Sequence, residues 1–425
     1  MKVFFTTFGC KVNQYETQEM SELLTSAGYT IINNHKDADI IIINSCTVTA
    51  EGVRKVRQTI RKLKKENSSA IMILTGCASQ AEPQMVEELP EIDILMGNKN
   101  DTDIVNIINK YLDAHIFLNA HQEHFREDIF CGTGITKFDG HTRAFLKIQD
   151  GCDRYCSYCL IPYARGFSRS KSLEMIDKEL SSLNDNGYKE IVFVGINLSD
   201  FGKNTPHSLP DALELAEKYS NIERIRLGSL EPDHITKEMI ERLSKITKLC
   251  PQFHISLQSG SNSVLKKMNR HYSAEEYEEL TINLRNAFPN ATITTDILTG
   301  FPTETEEEFI ETLEFAKKIK FEKAHIFPYS VRKGTKAATL PQLQKSIKEE
   351  RAKILTLATN DTRKEFLKQQ IGKTVNVLFE TDKSGYSEGY TENYTPVRVY
   401  DSITRVGKIL TITITDATDE FCVGN

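Results

Sequence analysis

The stretch Asp150-Gly-Cys-Asp-Arg-Tyr-Cys-Ser-Tyr-Cys-Leu160 contains three cysteines, at positions 152, 156 and 159. Three thiolates at this spacing can hold one metal centre in a single loop, but they do not supply a fourth ligand. A closed structural site needs four ligands, whereas an iron–sulfur cluster held by three cysteines leaves one iron open to a small molecule. The spacing therefore predicts an open [4Fe-4S] cluster at Cys152, Cys156 and Cys159. The alternatives are a zinc site completed by His141 or three free thiols.

The cysteine loop follows the first of six predicted strand–helix units. The strands are predicted at 144–148, 190–194, 222–227, 252–257, 292–297 and 324–327. Helical patterns fit between them, for example at 173–186, 236–246, 274–286 and 306–319. Six such units in a row predict an incomplete (β/α)6 barrel, with its ligand at the carboxyl ends of the strands.

The first 118 residues also alternate strand and helix patterns. Apolar strand runs lie at 2–5, 40–43, 71–74 and 92–96. Asn13, followed three residues later by Glu16, has the form of a capping box and predicts a helix that ends at Gly28. Apolar strands separated by helices predict a parallel, doubly wound sheet, so the fold class is α/β.

Three further cysteines follow three of these N-terminal strands. Cys10, Cys46 and Cys77 each come shortly after a predicted strand end. Because the carboxyl ends of parallel strands lie on one edge of a sheet, the three loops can converge although they are distant in sequence. Their positions predict a second [4Fe-4S] cluster on this edge. The alternative is three unrelated buried cysteines, a common fate for this residue.

The remaining segments are less regular. Residues 119–140 show little periodicity and predict a linker, and residues 141–370 contain the barrel with a trailing polar helix. Residues 371–425 are rich in Thr and Tyr and contain short strands at 375–379, 396–400 and 409–414, typical of a small antiparallel β-barrel. From Lys373 onward there are five Lys or Arg and eight Asp or Glu, so this segment is acidic.

Composition narrows the class of protein. The chain has 425 residues, 39% of them hydrophobic and 26% charged, with a formal net charge of −6. No apolar run is long enough to cross a bilayer, and the N-terminus reads as a strand rather than a signal peptide, so we expect a cytoplasmic protein. Nine cysteines in that compartment favour metal or redox chemistry over disulfides. Cys131, Cys250 and Cys422 follow no ligand pattern.

A cysteine loop of this spacing after the first strand of a six-unit barrel resembles the radical S-adenosylmethionine superfamily. In that superfamily the open iron binds the amino and carboxylate groups of the methionine moiety. The reduced cluster then cleaves the sulfonium and gives a 5′-deoxyadenosyl radical. An aromatic residue before the third cysteine packs near the adenine, which implies this role for Tyr158.

Motifs along essentially the whole chain resemble the methylthiotransferases of that superfamily. They are Gly9-Cys-Lys-Val-Asn-Gln-Tyr-Glu16, Asn44-Ser-Cys-Thr-Val48, Gly76-Cys-Ala78, the loop 149–159, Ile161-Pro-Tyr-Ala-Arg-Gly166, His254-Ile-Ser-Leu-Gln-Ser-Gly260, Met268-Asn-Arg270 and Asp296-Ile-Leu-Thr-Gly-Phe-Pro302. The C-terminal segment resembles a TRAM domain, an RNA-binding barrel. The resemblance implies two [4Fe-4S] clusters, S-adenosylmethionine as methyl donor and radical source, a tRNA substrate, an electron donor protein and a sulfur source.

The residues around Cys10 indicate one branch of this family. Phe8-Gly-Cys-Lys-Val-Asn-Gln-Tyr-Glu16 looks like the branch that adds a methylthio group to C2 of N6-threonylcarbamoyladenosine beside the tRNA anticodon. Relatives that act on isopentenyladenosine in tRNA or on a ribosomal protein side chain are the alternatives. A non-catalytic RNA-binding protein with structural metal is a further alternative from another class.

Other polar residues are expected to contact the cofactor or the RNA. By their positions after barrel strands, or by the resemblance, the cofactor set is Gly195, Asn197, Ser229, Glu231, His254, Gln258 and Arg270. For His254 a satisfied core histidine is the alternative. The tRNA set is Arg54, Arg57 and Arg61 on the helix after Cys46, together with Arg398 of the tail, where nearby tyrosines could stack on bases. A solvated basic helix face is the alternative for the first three.

Overall fold

The computed structural model describes residues 1–425, and the first unit in the chain is a parallel sheet. Its elements are β1 (Lys2–Thr7), α1 (Lys11–Ser26), β2 (Thr30–Ile31), β3 (Ile40–Ser45), α2 (Ala50–Glu66), β4 (Ile71–Gly76), α3 (Cys77–Ala81), β5 (Ile94–Leu95), α4 (Ile104–Ala114) and β6 (Leu118–Asn119). The strand order is β2-β1-β3-β4-β5-β6, with every pairing parallel. Central β3 is buried on both faces, which explains its unbroken isoleucine run. The predicted doubly wound α/β sheet is confirmed.

Helix α1 begins earlier than its sequence pattern predicts. Cys10, not Asn13, is the N-cap residue, and Asn13 occupies the third helical position. The Asn13 side chain accepts a hydrogen bond from the Cys10 backbone N–H at 3.3 Å, so Asn13 takes the Glu/Gln role of the capping box. This correction places the Cys10 side chain at the N-terminus of a four-turn helix.

The second unit is an open barrel of parallel strands. Its elements are β7 (Arg143–Lys147), β8 (Gln149–Asp150), α5 (Ile161–Arg165), β9 (Arg169–Ser170), α6 (Leu173–Asp185), β10 (Glu190–Val194), α7 (Leu209–Ala216), β11 (Arg224–Leu227), β12 (Ser229–Leu230), α8 (Lys237–Leu243), β13 (Gln252–Ile255), α9 (Asn262–Lys267), α10 (Ala274–Ala287), β14 (Thr292–Thr299), α11 (Glu306–Ile319), β15 (Lys323–Pro328) and α12 (Lys345–Lys368). The six predicted strands are all present, the third being divided into β11 and β12. Parallel pairing joins β7 to β10 and β10 to β11, and it then joins β12, β13, β14 and β15 in sequence order. The short strands β8 and β9 pair with each other in antiparallel fashion.

The barrel is incomplete because no strand pairing joins β7 to β15. Helix α1 of the first unit packs beside β7, and its Val12 and Tyr15 belong to the hydrophobic core of the barrel. The N-terminal unit therefore shares a core with the barrel through α1, while its strands pack in clusters of their own.

The third unit is a closed five-stranded barrel. Its strands are β16 (Thr374–Lys383), β17 (Tyr386–Thr391), β18 (Pro396–Val399), β19 (Ile409–Ala417) and β20 (Cys422–Gly424). The order is β16-β17-β18-β20-β19, with one parallel pairing, β18 with β20, among antiparallel ones. Arg224 of the central barrel donates hydrogen bonds to the carbonyls of Asn376 (2.8 Å) and Tyr390 (3.1 Å), which fixes this unit against the central barrel.

The segment between β6 and β7 contains no helix or strand, yet it is packed. Its backbone N–H groups at Thr133 and Gly134 donate to the Glu19 carboxylate, and Thr136 donates to Glu22. Ile135 is buried in the barrel core. No helix of the chain is long and apolar enough to span a membrane.

Candidate active site

The first cysteine set lies at one edge of the N-terminal sheet. Cys10 follows β1, Cys46 follows β3, and Cys77 directly follows β4. Because these strands are adjacent and parallel, their carboxyl ends bring the three loops together. All three are free cysteines; Cys10 is exposed, Cys46 is half-buried and Cys77 is buried. The set is therefore accessible to solvent on the side of Cys10.

The buried side chain of Asn13 connects the three loops of this edge. Besides the Cys10 N–H contact, its amide nitrogen donates to Asn44 Oδ1 at 3.0 Å and lies 3.9 Å from Cys77 Sγ. Gly76, just before Cys77, has φ +96°, and a Cβ there would stand 2.4 Å from Asn44 Oδ1. Glycine is required at this turn because both its conformation and the close approach of Asn44 exclude a side chain.

The second cysteine set lies in the loop between β8 and α5. Backbone hydrogen bonds hold this loop at several points, including Ser157 N–H to the Met268 carbonyl (2.9 Å) and Ala337 N–H to the Ser157 carbonyl (2.7 Å). The Cys159 thiol accepts from the Ile161 N–H at 3.4 Å. The Cys156 thiol accepts from Arg270 Nη1 at 3.3 Å. The loop is thus held by the later barrel elements as well as by its own strand.

A buried arginine joins the two cysteine sets. Arg165 is fully buried; its Nε donates to Cys77 Sγ at 3.2 Å, and its Nη atoms donate to Glu16 at 2.5 and 2.9 Å. Arg165 also donates to Asp150 at 3.2 Å, and Lys147 Nζ lies 2.7 Å from both carboxylates. The Lys147 and Arg165 charges hold the pKa values of Glu16 and Asp150 below their usual range against the opposing effect of burial.

The donor chemistry of both sets fits clusters better than a single ion. In neither set do the three thiol sulfurs all lie within 4.8 Å of one another. This separation is wider than the ligands of a single zinc ion require. Burial raises the pKa values of Cys77 and Cys159 to about 12, so a positive metal centre is needed to hold them as thiolates. His141 packs against Phe138 and Phe145 before β7, at the opposite end of that strand from the loop, and does not complete a zinc site.

Several expected cofactor residues lie around the second cysteine set. Both side-chain polar atoms of Asn197 are buried without a hydrogen-bond partner in the chain. Such a side chain is available to hydrogen-bond to a ligand. Arg270 donates to Glu231 at 2.5 Å as well as to Cys156, so its guanidinium forms a buried ion pair. Tyr158 is half-buried and packs against the Met268 and Tyr329 cluster.

Two other expected residues have clear local roles in the backbone. Gly195 is required for close packing, since a Cβ there would stand 2.8 Å from Gln149 Oε1. Gln258 has φ +66°, and its backbone N–H and carbonyl pair with Asp296 and Leu298 of β14. These contacts are structural, and the role of both residues in cofactor binding stays a prediction.

Ser229 and His254 face a different space. They are register partners on β12 and β13, and both line a cavity of about 1030 Å³ between the barrel strands, α12 and the C-terminal barrel. His254 is hydrogen-bonded, through Nδ1 to Thr294 (3.0 Å) and through Nε2 to Asp296 (3.3 Å). With His325 these residues form a group whose ligand atoms lie within 4.8 Å of one another.

The four arginines expected at the RNA are partnered within the chain. Arg54 pairs with Glu51, and Arg57 pairs with Glu88 at 2.6 Å. Arg61 donates to the Glu88 carbonyl, and Arg398 pairs with Glu388 at 2.5 Å while stacking on Phe421. Each would have to share or exchange its partner to bind phosphate, so their role in RNA binding stays a prediction.

Sequence reasoning missed Arg165, Glu16 and Lys147 as site residues. The signals for Glu16 and Arg165 were the motifs Gly9-Cys-Lys-Val-Asn-Gln-Tyr-Glu16 and Ile161-Pro-Tyr-Ala-Arg-Gly166, which were recognised for their resemblance and not for a contact. Lys147 lies in neither motif. Arg332 was also missed; it donates to Thr47 Oγ1 and to Glu82 at 2.8 Å and so ties the end of the central barrel to the Cys46 loop.

The open cysteine loop at the carboxyl end of a six-stranded partial barrel defines a radical S-adenosylmethionine enzyme. A model of the Radical SAM superfamily matches residues 146–316, and one described as Uncharacterized protein family UPF0004 matches residues 2–97. The fold is similar to that of the methyltransferase TsrM from Kitasatospora setae, with a TM-score of 0.57 at 14% identity over 79% of this chain and 77% of that one.

Relatives of similar length place the chain within this class. It is 38% identical to the threonylcarbamoyladenosine tRNA methylthiotransferase MtaB of Aquifex aeolicus over 97% of this chain and all of that protein. It is 36% identical to the Bacillus subtilis protein of the same name over 98% of this chain and 94% of that one. It is 32% identical to the tRNA-2-methylthio-N(6)-dimethylallyladenosine synthase of Pelotomaculum thermopropionicum over 96% of this chain and 94% of that one.

The chain therefore belongs to the radical S-adenosylmethionine methylthiotransferase family. It is an enzyme that transfers a methylthio group, with [4Fe-4S] clusters and S-adenosylmethionine as its cofactors. The family and cofactor expectations drawn from the sequence are confirmed.

Proposed function

We propose that this enzyme adds a methylthio group to C2 of N6-threonylcarbamoyladenosine beside the anticodon of tRNA. The observation that carries the proposal is full-length similarity to relatives named for that nucleoside, at 34–38% identity. Relatives named for dimethylallyladenosine match over similar lengths at 32–34%, so that nucleoside is the second candidate.

Cys152, Cys156 and Cys159 would hold the cluster that works with S-adenosylmethionine. Bound there, the two cofactors would supply a 5′-deoxyadenosyl radical, which can remove hydrogen from an aromatic carbon that acid–base groups cannot attack. The protein's part is to orient the cofactor. Tyr158 would pack on it, unpartnered Asn197 would hydrogen-bond to it, and Gly195 and Gln258 would shape the strand ends around it. Arg270 and Glu231 support the loop through Cys156.

Cys10, Cys46 and Cys77 would hold the auxiliary cluster, whose open iron offers a place for the sulfur that is transferred. The exposed position of Cys10 supports this role because sulfur and substrate must both reach that iron. Arg165 supports the relative position of the two sets, since it touches Cys77 and emerges from the helix that follows Cys159.

The partners follow from this reaction. A tRNA substrate would contact the C-terminal barrel through Arg398 and the helix α2 through Arg54, Arg57 and Arg61. An electron donor protein would reduce the radical cluster, and a sulfur source would reload the auxiliary one.

Iron content tests the ligand assignment. Reconstituted protein should hold about eight irons, in two four-iron clusters. The triple variant Cys10→Ala, Cys46→Ala, Cys77→Ala should hold half as many. A matched triple variant at Cys131, Cys250 and Cys422 should retain the full content. Equal iron in the two triple variants would overturn the auxiliary site.

Product analysis tests the reaction. The reconstituted enzyme, S-adenosylmethionine, a reductant and a sulfide source should convert tRNA bearing threonylcarbamoyladenosine to its 2-methylthio form. Cys152→Ala should abolish both this product and 5′-deoxyadenosine, whereas Cys250→Ala should not. Methylthiolation of dimethylallyladenosine alone would replace the first candidate by the second.

A further inference from the structure

The cavity between the barrel and the C-terminal unit, here called the barrel cavity, has an unusual distribution of charge. It measures about 1030 Å³, enough for a modified nucleoside, and its walls come from the inner faces of β11–β15, from α12 and from β17 and β18. Lys11, the residue after Cys10, also lines it. The barrel cavity therefore reaches the residue next to Cys10, one of the proposed auxiliary ligands.

Most charged groups of the barrel cavity are neutralised by a partner. Arg226 pairs with Glu190 at 2.8 Å, Arg398 pairs with Glu388, and Lys364 pairs with Asp419 at 2.9 Å. Asp296 faces the two histidines of the cavity wall. The other acidic side chains of the lining, Asp361 and Glu420, are exposed.

Three cations of the barrel cavity have no carboxylate within ion-pair distance. They are Lys11, Lys323 and Arg363, none of which forms a salt bridge. Arg363 donates only to backbone carbonyls, of Glu322 at 3.3 Å and Glu420 at 2.8 Å. Arg363 is half-buried and Lys323 is exposed at the edge of the cavity. Partial burial lowers the pKa values of both, and Arg363 lowers that of Lys323 further. A partly buried cation that has no carboxylate partner is stabilised by an anion that binds in the cavity.

The same charges disfavour a metal ion on His254, Asp296 and His325. Two histidines and one carboxylate could ligate a divalent cation. However, burial lowers the pKa of His325, and the charges of Lys323 and Arg363 lower it further. The same two charges would repel a metal ion bound there. The group fits better as a hydrogen-bonding wall beside an anion.

We propose that the barrel cavity binds the modified nucleoside and that Lys323 and Arg363 bind the carboxylate of its threonylcarbamoyl group. The inference rests on the proposed function and extends it, because a dimethylallyl group has no carboxylate. Because Lys11 adjoins Cys10 and Arg363 lies on α12, binding in this way would direct the adenine towards Cys10 and the N6 substituent towards α12. The two cations would thus select between the two tRNA nucleosides.

Binding of three anticodon stem-loop RNAs to the reconstituted enzyme tests this inference. The RNAs carry N6-threonylcarbamoyladenosine, its methyl ester or N6-dimethylallyladenosine, and otherwise have the same phosphates. The wild-type enzyme should bind the acid about ten- to hundredfold more tightly than the ester, as expected for a charge-assisted hydrogen bond. Arg363→Met should remove this preference and leave binding of the ester unchanged. Lys353→Met, at an exposed position of the same helix, should behave as wild type.

Two results would overturn the inference. A wild-type enzyme that binds acid and ester equally has no carboxylate site. A variant that weakens all three RNAs equally has lost a backbone phosphate contact instead. Iron content and melting temperature show whether Arg363→Met is folded, and Lys323→Met provides an independent second variant.

Activity of the same wild-type preparation separates the two proposals. Transfer to the threonylcarbamoyl RNA without preference for the acid over the ester would overturn the carboxylate site alone. Absence of transfer to that RNA would overturn the proposed function, while the binding comparison would still decide the carboxylate site.

Discussion

Arg165 connects the two cysteine sets, and its removal should destabilise the protein far more than loss of an ordinary arginine. Arg165→Leu still fills part of the space of the arginine side chain, but it leaves Glu16 and Asp150 buried without one of their cationic partners. It also removes the donor to Cys77. The effect should appear in stability and not only in activity, because both carboxylates are buried.

The magnitude follows from the remaining contacts. Removing one partner of a buried ion pair costs about 3–5 kcal/mol. Lys147 stays 2.7 Å from each carboxylate and Arg169 stays 3.5 Å from Asp150, so the lower end, about 3 kcal/mol, applies here. For a cooperative unit of about 150–250 residues this lowers the melting temperature by about 6–12 °C.

Thermal unfolding of the metal-free protein, followed by circular dichroism, measures this shift. Arg54→Leu is the matched control, since Arg54 pairs with Glu51 on the exposed face of α2 and its loss should hardly change the melting temperature. Glu16→Gln combined with Arg165→Leu should cost less than the sum of the two single changes, because the partners are in contact. Equal shifts for Arg165→Leu and Arg54→Leu, or strict additivity with Glu16→Gln, would refute the buried network.

Two further predictions concern a turn and a titration. Gly76→Ala should lower the free energy of unfolding by about 1–3 kcal/mol and reduce the iron bound at the auxiliary site, because the turn has φ +96° and no room for a Cβ atom. Gly407→Ala is the control, since this glycine has φ +80° but lies in open space, and it should retain its iron. Equal iron loss in the two variants would contradict the role of crowding at Gly76. Burial raises the pKa of Glu322 from 4.5 to about 7, so its contribution is fully present below pH 4.5 and is lost as pH rises through 7. In wild type this loss should lower the free energy of unfolding by roughly 3 kcal/mol between pH 4.5 and pH 7. Glu322→Gln should remove this pH dependence, whereas Glu314→Gln, at an exposed position, should keep it. If the free energy of unfolding of the two variants changes with pH in the same way, Glu322 does not titrate as described.

The sequence predicts the strands and both cysteine edges because these depend on local patterns and one topological rule. Each barrel strand is a short apolar run, and parallel strands end on one edge whatever their separation in sequence. Cys10, Cys46 and Cys77 could therefore be grouped without a structure. The start of α1 was predicted wrongly, because Asn13 is the more favoured N-cap by residue type and only the backbone shows that Cys10 holds that position.

The buried charges could not be predicted for a different reason. Glu16 and Arg165 are 149 residues apart, and each looks like a solvent-facing charge in its own segment. The unpaired state of Lys323 and Arg363 is equally invisible in the sequence, since it depends on which acids the fold brings near. The segment 119–140 looks like a linker because its order comes from Glu19 and Glu22 of α1, not from its own periodicity.

The most direct test of the central claim is mass spectrometry of tRNA nucleosides from a strain that lacks this gene. We expect 2-methylthio-N6-threonylcarbamoyladenosine to disappear, with its unmethylthiolated precursor accumulating. The wild-type gene should restore the modification and a Cys152→Ala gene should not, while any 2-methylthio-dimethylallyladenosine stays unchanged. Loss of the dimethylallyl product instead, or an unaltered nucleoside profile, would contradict the assignment.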